Sequence, residues 1–229
     1  SGSQNFCIIC PTCVYGCTDS LALNYDPSAI IDDGSCIYNQ ALTYVPDNNF
    51  ETYLEANGMG DGIALNDSVL TANIDAITSL YVDSLSISDL TGIEDFTALT
   101  FLDCRSNNLS NLDVSTNTAL TSLSCGANQL TSLDVSQNTA LTYLYCAYNQ
   151  LTILDVSTNT ALTWLGCNSN QLTSLDVSGT TTLTSLFCLY NQLTSLDVST
   201  NTALYNLYCY SNQLTSLDVS QNTALTGFA

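Results

Sequence analysis

From Leu99 to the C-terminus, apolar residues return at fixed offsets. One unit runs Leu120, Leu123, Cys125, Leu130, Leu133, Val135 and Leu141, with Ser, Thr, Asn, Gln, Gly and Asp among the residues between them. Leu123–Cys125 and Leu133–Val135 each alternate inward and outward positions, the period-two pattern of a strand. The pattern predicts two short strands on opposite sides of each coil, little or no helix, and coils stacked about 4.8 Å apart. The unit recurs every 21 residues, marked by Cys104, Cys125, Cys146, Cys167, Cys188 and Cys209 and by Asp113, Asp134, Asp155, Asp176, Asp197 and Asp218. A fixed period of this length predicts a solenoid in which each coil buries its apolar side against its neighbours. Asn128 and Asn138 are expected to turn inward and satisfy the polar groups of the bends. In-register parallel coils hold neighbouring Cβ atoms farther apart than the roughly 3.8 Å a disulfide prefers, so the repeat cysteines are read as free, buried thiols.

The string Leu120-x-x-Leu123-x-Cys125-x-x-Asn128-x-Leu130 resembles the leucine-rich repeat signature LxxLxLxxNxL, with cysteine in the third apolar slot. The resemblance covers residues 77–229: a first unit of 22 residues that looks internalin-like, six repeats of 21 residues and a truncated last coil. It implies a β-rich leucine-rich repeat solenoid of stacked coils with parallel strands, behind a small helical cap at residues 41–76. In that cap Asn48 and Glu51 have capping-box spacing, Phe50, Tyr53 and Leu54 share a helix face, and Gly58 ends the helix. The following "NGMGDGI" has the look of a calcium loop, but Met59 stands where an oxygen ligand belongs, so it is read as a turn.

Residues 1–40 form a separate cysteine-rich module. The stretch "GCTDSLALNYDPSAIIDDGSC" resembles a short module common in secreted bacterial surface proteins, and the resemblance implies a disulfide between Cys17 and Cys36. A module this small needs such a staple, having too little core of its own. Cys7, Cys10 and Cys13 then remain, an odd count that leaves a local bond or a bond between chains open. The spacing of Cys7, Cys10, Cys13 and Cys17 also matches an iron–sulfur run, except that Thr18 replaces the usual proline. Asp19, Asn24, Asp26, Asp32 and Asp33 have the chemistry either to gather a Ca²⁺ ion or to close Asx turns. No other cofactor is expected.

Charge narrows the function. The chain has 21 acidic residues and one basic residue, Arg105, with no lysine or histidine. Nucleic acid and anionic membrane surfaces are excluded as partners, because both need Lys or Arg. No apolar run is long enough for membrane insertion. Without His or Lys the common general bases and nucleophile partners are missing, leaving only carboxylate-pair chemistry. An enzyme is not expected. Six Asp side chains stacked about 5 Å apart repel by roughly 0.8 kcal/mol per neighbour in water, so hydrogen bonds to bend amides or bound cations must relieve them.

The scaffold letters repeat, whereas one outward face changes from coil to coil. It carries Phe101 and Arg105, then Tyr143, Tyr145 and Tyr148, then Trp164, then Phe187 and Tyr190, then Tyr208 and Tyr210. Exposed aromatics gathered on one face mark a contact surface; the plainer alternative is a ladder that only stabilises the sheet. The chain stops at "NTALTGFA", one residue before the next cysteine is due. That open edge predicts covering by another copy, giving a homo-oligomer or polymer such as a filament, tube or surface layer. The first expectation is therefore a non-catalytic, secreted structural protein that self-associates at the cell surface. The alternative is an adhesion or recognition module that grips a host or environmental protein or a glycan through its aromatic face.

Overall fold

The computed structural model describes residues 13–20, 22–37 and 40–229, which fall into two units, 1–41 and 42–229. In the first unit, β1 (Tyr15–Gly16) and β2 (Ile31–Asp32) pair in parallel. Among its described apolar residues only Cys17 and Ala22 are buried. The Cys17–Cys36 disulfide therefore supplies the constraint that a core would give elsewhere.

The second unit begins with β3 (Leu42–Tyr44), helix α1 (Asn48–Ala56), β4 (Ser68–Leu70) and the single turn α2 (Thr71–Ile74), with β3 antiparallel to β4. The helix cap is Asp47, not Asn48. One Asp47 oxygen accepts the amides of Asn49 and Phe50 at 2.9 and 3.1 Å, and the other accepts the Ser88 amide and hydroxyl at 2.8 and 2.7 Å. A carboxylate with two oxygens caps the helix and ties it to the first coil, which a neutral Asn48 amide does less well. Glu51 is buried and accepts the amides of Asn66 and Asp67, while Glu55 accepts those of Asp61 and Gly62. The "NGMGDGI" segment thus wraps a helix carboxylate as a turn.

Each coil then adds one strand: β5 (Ser79–Tyr81), β6 (Phe101–Asp103), β7 (Ser122–Ser124), β8 (Tyr143–Tyr145), β9 (Trp164–Gly166), β10 (Ser185–Phe187), β11 (Asn206–Tyr208) and β12 (Gly227–Phe228). They join in chain order into one parallel sheet of eight strands. The register is the repeat itself, with Leu102 opposite Leu123, Leu123 opposite Leu144 and Leu144 opposite Leu165. Leu120, Leu123, Cys125, Leu130, Leu133 and Val135 are all buried and belong to one continuous interior from Val45 to Cys209.

The second strand expected in each coil does not form. Asp134 turns back to accept the Ser136 amide at 2.9 Å, and the Val135 carbonyl accepts both the Asn138 amide and the Asn159 side chain at 3.0 Å. Polar groups that a second ladder would use are bound to bends instead. The same serine contact explains the aspartate column. Hydrogen bonds from the amide or hydroxyl of the serine two residues on hold all six carboxyls below the usual range. They outweigh the opposing push from neighbouring carboxylates of the column.

Two columns of buried asparagine close the coils. The Asn149 side chain donates to the carbonyls of Cys125, Cys146 and Ala147 at 3.1, 3.1 and 3.3 Å and accepts the Leu130 amide at 3.0 Å. In the other column Asn138 donates to Val114 and Asn117 at 2.9 and 3.0 Å, but its carbonyl oxygen has no protein partner. Asn117, Asn159, Asn201 and Asn222 share that orphaned oxygen, while Thr180 occupies the column once and its hydroxyl donates to Val177 within its own coil.

Asn149→Ala leaves buried carbonyls unpaired and is expected to cost roughly 2–4 kcal/mol; Asn159→Thr, which copies Thr180, is expected to cost less than half as much, both read by urea denaturation. The depressed carboxyls give a second test. A pKa lowered by folding stabilises above the unfolded value and loses that contribution as pH falls through the folded value. The thermal midpoint should stay level down to about pH 5 and fall below about pH 4, with a shallower fall when the six column aspartates become asparagine.

Candidate interaction face

In each three-residue strand the middle leucine points inward, and the first and third residues face out. The first position carries Phe101, Ser122, Tyr143, Trp164, Ser185 and Asn206; the third carries Asp103, Ser124, Tyr145, Gly166, Phe187 and Tyr208. In-register pairing brings these rings together. Tyr143 stacks on Trp164 with centroids 4.4 Å apart and planes 14° apart, Trp164 meets Phe187 at 5.2 Å, and Phe187 stacks on Tyr208 at 5.2 Å and 4°. Tyr145 joins from the side, 6.0 Å from Trp164. These five rings are half-buried. The face is thus a ladder, and a ring stacked on both sides offers its edge rather than its faces to solvent.

Tyr148, Tyr190 and Tyr210 stand outside the ladder, 56%, 53% and 43% exposed. Tyr190 meets Tyr210 edge-on at 5.3 Å. At the cap end, Phe101 packs on Tyr81 at 4.9 Å, and the serines of β7 separate this pair from the main group. Arg105 is held by Asp103 through a two-pronged pair, Nε to Oδ1 at 2.8 Å and Nη2 to Oδ2 at 2.6 Å. The Asp103 bond holds the guanidinium firmly protonated, and the pair is neutral overall.

Sequence reasoning missed Tyr81 and two glycines. A Cβ on Gly166 would lie 2.5 Å from the Trp164 ring, and one on Gly126 would lie 2.3 Å from the Tyr145 ring. Both glycines interrupt an otherwise side-chain-bearing outward column, which is the signal available in sequence.

This arrangement has relatives. No family model matches the chain. Internalin J of Listeria monocytogenes serotype 4b (strain F2365) is 46% identical over 74 residues, which are 32% of this chain and 8% of that protein. The functional domain of InlJ from Listeria monocytogenes, described as including a cysteine ladder, has a TM-score of 0.65 at 40% identity, over 83% of this chain and 47% of that one. The internalin InlF of strain 4b F2365 has a TM-score of 0.65 at 26% identity, over 69% and 48% of the two chains. The chain thus spans less than half the length of each of these proteins. The solenoid is an internalin-like leucine-rich repeat.

The internalin-like solenoid has its own cysteine ladder. Cys104, Cys125, Cys146, Cys167, Cys188 and Cys209 are free and buried. Burial pushes all six thiols up, so none is a thiolate at neutral pH. On another side of the coils, a groove of about 530 Å³ lies between the first two, floored by Leu90, Ile93 and Leu112 and walled by Asp89, Glu94 and Asp113. It opens where the 22-residue coil holds its extra residue, between Leu90 and Ile93, just before the tight turn Ile93–Asp95. Its carboxylates accept the local amides of Thr91, Gly92 and Ser115.

In the first unit, the predicted cation ligands are engaged locally. Asp26, Asp32 and Asp33 accept the amides of Ser28, Gly34 and Ser35 at 2.8, 3.0 and 2.9 Å, and Asn24 bridges Ser35 and Ile37. These are Asx-turn roles. Among the described residues no three His, Cys, Asp or Glu side chains converge as metal ligands, Asp19 included. Cys17 is committed to Cys36, which breaks the iron–sulfur spacing, and Cys13 is also disulfide-bonded. Cys7 and Cys10 lie outside the described residues.

Trp164 is the single tryptophan and reports on the ladder. Gly166→Ala should displace its ring, shifting the fluorescence maximum by several nanometres while the far-ultraviolet circular dichroism stays that of the parent.

Proposed function

We propose that this chain is a non-catalytic recognition module, displayed outside a bacterial cell, that binds a protein partner through the aromatic face of its sheet. The observation that carries the reading is the contrast between faces. Asp134 and Ser136 recur unchanged in all six 21-residue coils and Ser132 in four of them, whereas the sheet face places a different set of residues on each rung. Stability explains a ladder, but a uniform ladder would serve it equally well. Varied aromatic residues on a rigid scaffold are the makings of a binding surface.

Protein is favoured over glycan because the ring faces needed for stacking on a sugar are covered by neighbouring rings at Trp164 and Phe187. An extracellular setting is supported by the Cys17–Cys36 disulfide. Self-association through the same face is disfavoured by a net charge of −20, since like-charged copies repel.

The test is a panel of purified extracellular proteins alongside a glycan array, probed with the parent and with Tyr145→Ser/Tyr208→Ser. A protein that binds the parent and loses at least tenfold in affinity for the variant, with Ser132→Ala/Ser174→Ala behaving as the parent, supports the proposal. Binding to glycans alone, or sedimentation of the parent as a polymer that the tyrosine variant disperses, overturns it.

A further inference from the structure

Every coil bends sharply just past its strand, and the residue at the bend is left-handed: Ser106, Ala127, Tyr148, Ser169, Tyr190 and Ser211 have φ between 53° and 56°. A Cβ in that conformation is strained against the backbone, which glycine avoids and asparagine lessens. None of the six positions is Gly or Asn. Two carry a bulky ring, the kind of side chain least suited to this backbone.

Folding does not account for those rings. Both are more than half exposed, and Tyr190's aromatic contact is edge-on with another exposed ring, Tyr210. They stand two coils apart at equivalent bends, with Tyr210 edge-on to Tyr190. With Tyr145, Tyr208 and Tyr210 they put five hydroxyl-bearing rings on this part of the face. Tyr148 also keeps its ring face clear of the stack, which is the geometry a cation requires.

Charge selects what approaches these rings. The chain carries 21 acidic side chains against one arginine, itself paired with Asp103. The resulting field repels acidic surfaces and speeds encounter with basic ones. We infer that Tyr148 and Tyr190 are the specificity-determining anchors of the sheet face and that they receive arginine-rich surface of a basic partner protein. This rests on the recognition reading above and adds the partner's chemistry to it.

The probe is a synthetic fifteen-residue peptide alternating Arg with Ser and Gly, with a Glu-for-Arg counterpart, measured by fluorescence anisotropy at low and physiological salt. The full chain is compared with Tyr148→Gly/Tyr190→Gly, which keeps the net charge, and with Ser106→Gly/Ser169→Gly at equivalent bends. The tyrosine variant is expected to melt at or above the parent temperature, since glycine relieves the bend, yet to bind the Arg peptide at least tenfold more weakly. The serine variant should bind as the parent does. Equal binding by parent and tyrosine variant would reduce the attraction to net charge and overturn the inference, as would equal binding of the Glu peptide. A neutral or acidic protein that binds through Tyr145 and Tyr208 also overturns it, and leaves the recognition reading standing.

Discussion

A chain that repeats as one parallel sheet must dispose of the polar backbone at each bend, where no strand is available to pair it. Buried asparagine side chains meet that constraint here. Asn128, Asn149, Asn170 and Asn191 each donate to the cysteine carbonyl of their own coil and to that of the coil before. Each side chain therefore ties its coil to its predecessor, and Asn107 does so across the 22-residue coil as well, donating to Val82 and Cys104 at 2.7 and 3.0 Å. The extra residue of that coil is taken up away from the bridge, between Leu90 and Ile93. In the first, 22-residue coil, Phe96 fills the place of Asn117, the bend becomes the tight turn Ile93–Asp95, and the groove opens beside it.

Much of this was legible in the residues. Leucine, valine and cysteine at fixed offsets have one way to be buried together, so the interior and the free thiols follow from the period alone. The second strand was misread because Leu133–Val135 has a strand's alternation without a strand's hydrogen bonds; Asp134 and Asn159 take those groups, and a side chain's choice of partner is not periodic. Asp47 was passed over for Asn48 because the spacing to Glu51 favoured the latter, and only the distant Ser88 shows why a carboxylate is needed there.

The face itself was half legible. The aromatic letters were plain, but whether their rings stand apart or stack depends on inter-coil register. That register makes Tyr143, Trp164, Phe187 and Tyr208 a ladder and gives Gly126 and Gly166 their purpose as clearance for rings. The left-handed bends were invisible, since glycine and asparagine are their usual sign and this chain uses serine, alanine and tyrosine.

Stacking also bears on how such a surface binds. A free tyrosine loses rotamer entropy when a partner fixes it, by roughly 0.5–1.5 kcal/mol for each side chain immobilised. Rings already locked between neighbours have lost that freedom in folding, so the ladder meets a partner preordered. On the proposed reading, Trp164 and Phe187 would recognise a partner through the same contacts that stabilise the sheet. Tyr148 is outside the ladder and sits on an unfavourable backbone, so on the same reading its contribution would come from what it touches in a complex. On that reading the stacked rings would set shape and the exposed tyrosines would select, with the rings of both outside the buried asparagine columns that hold the coils.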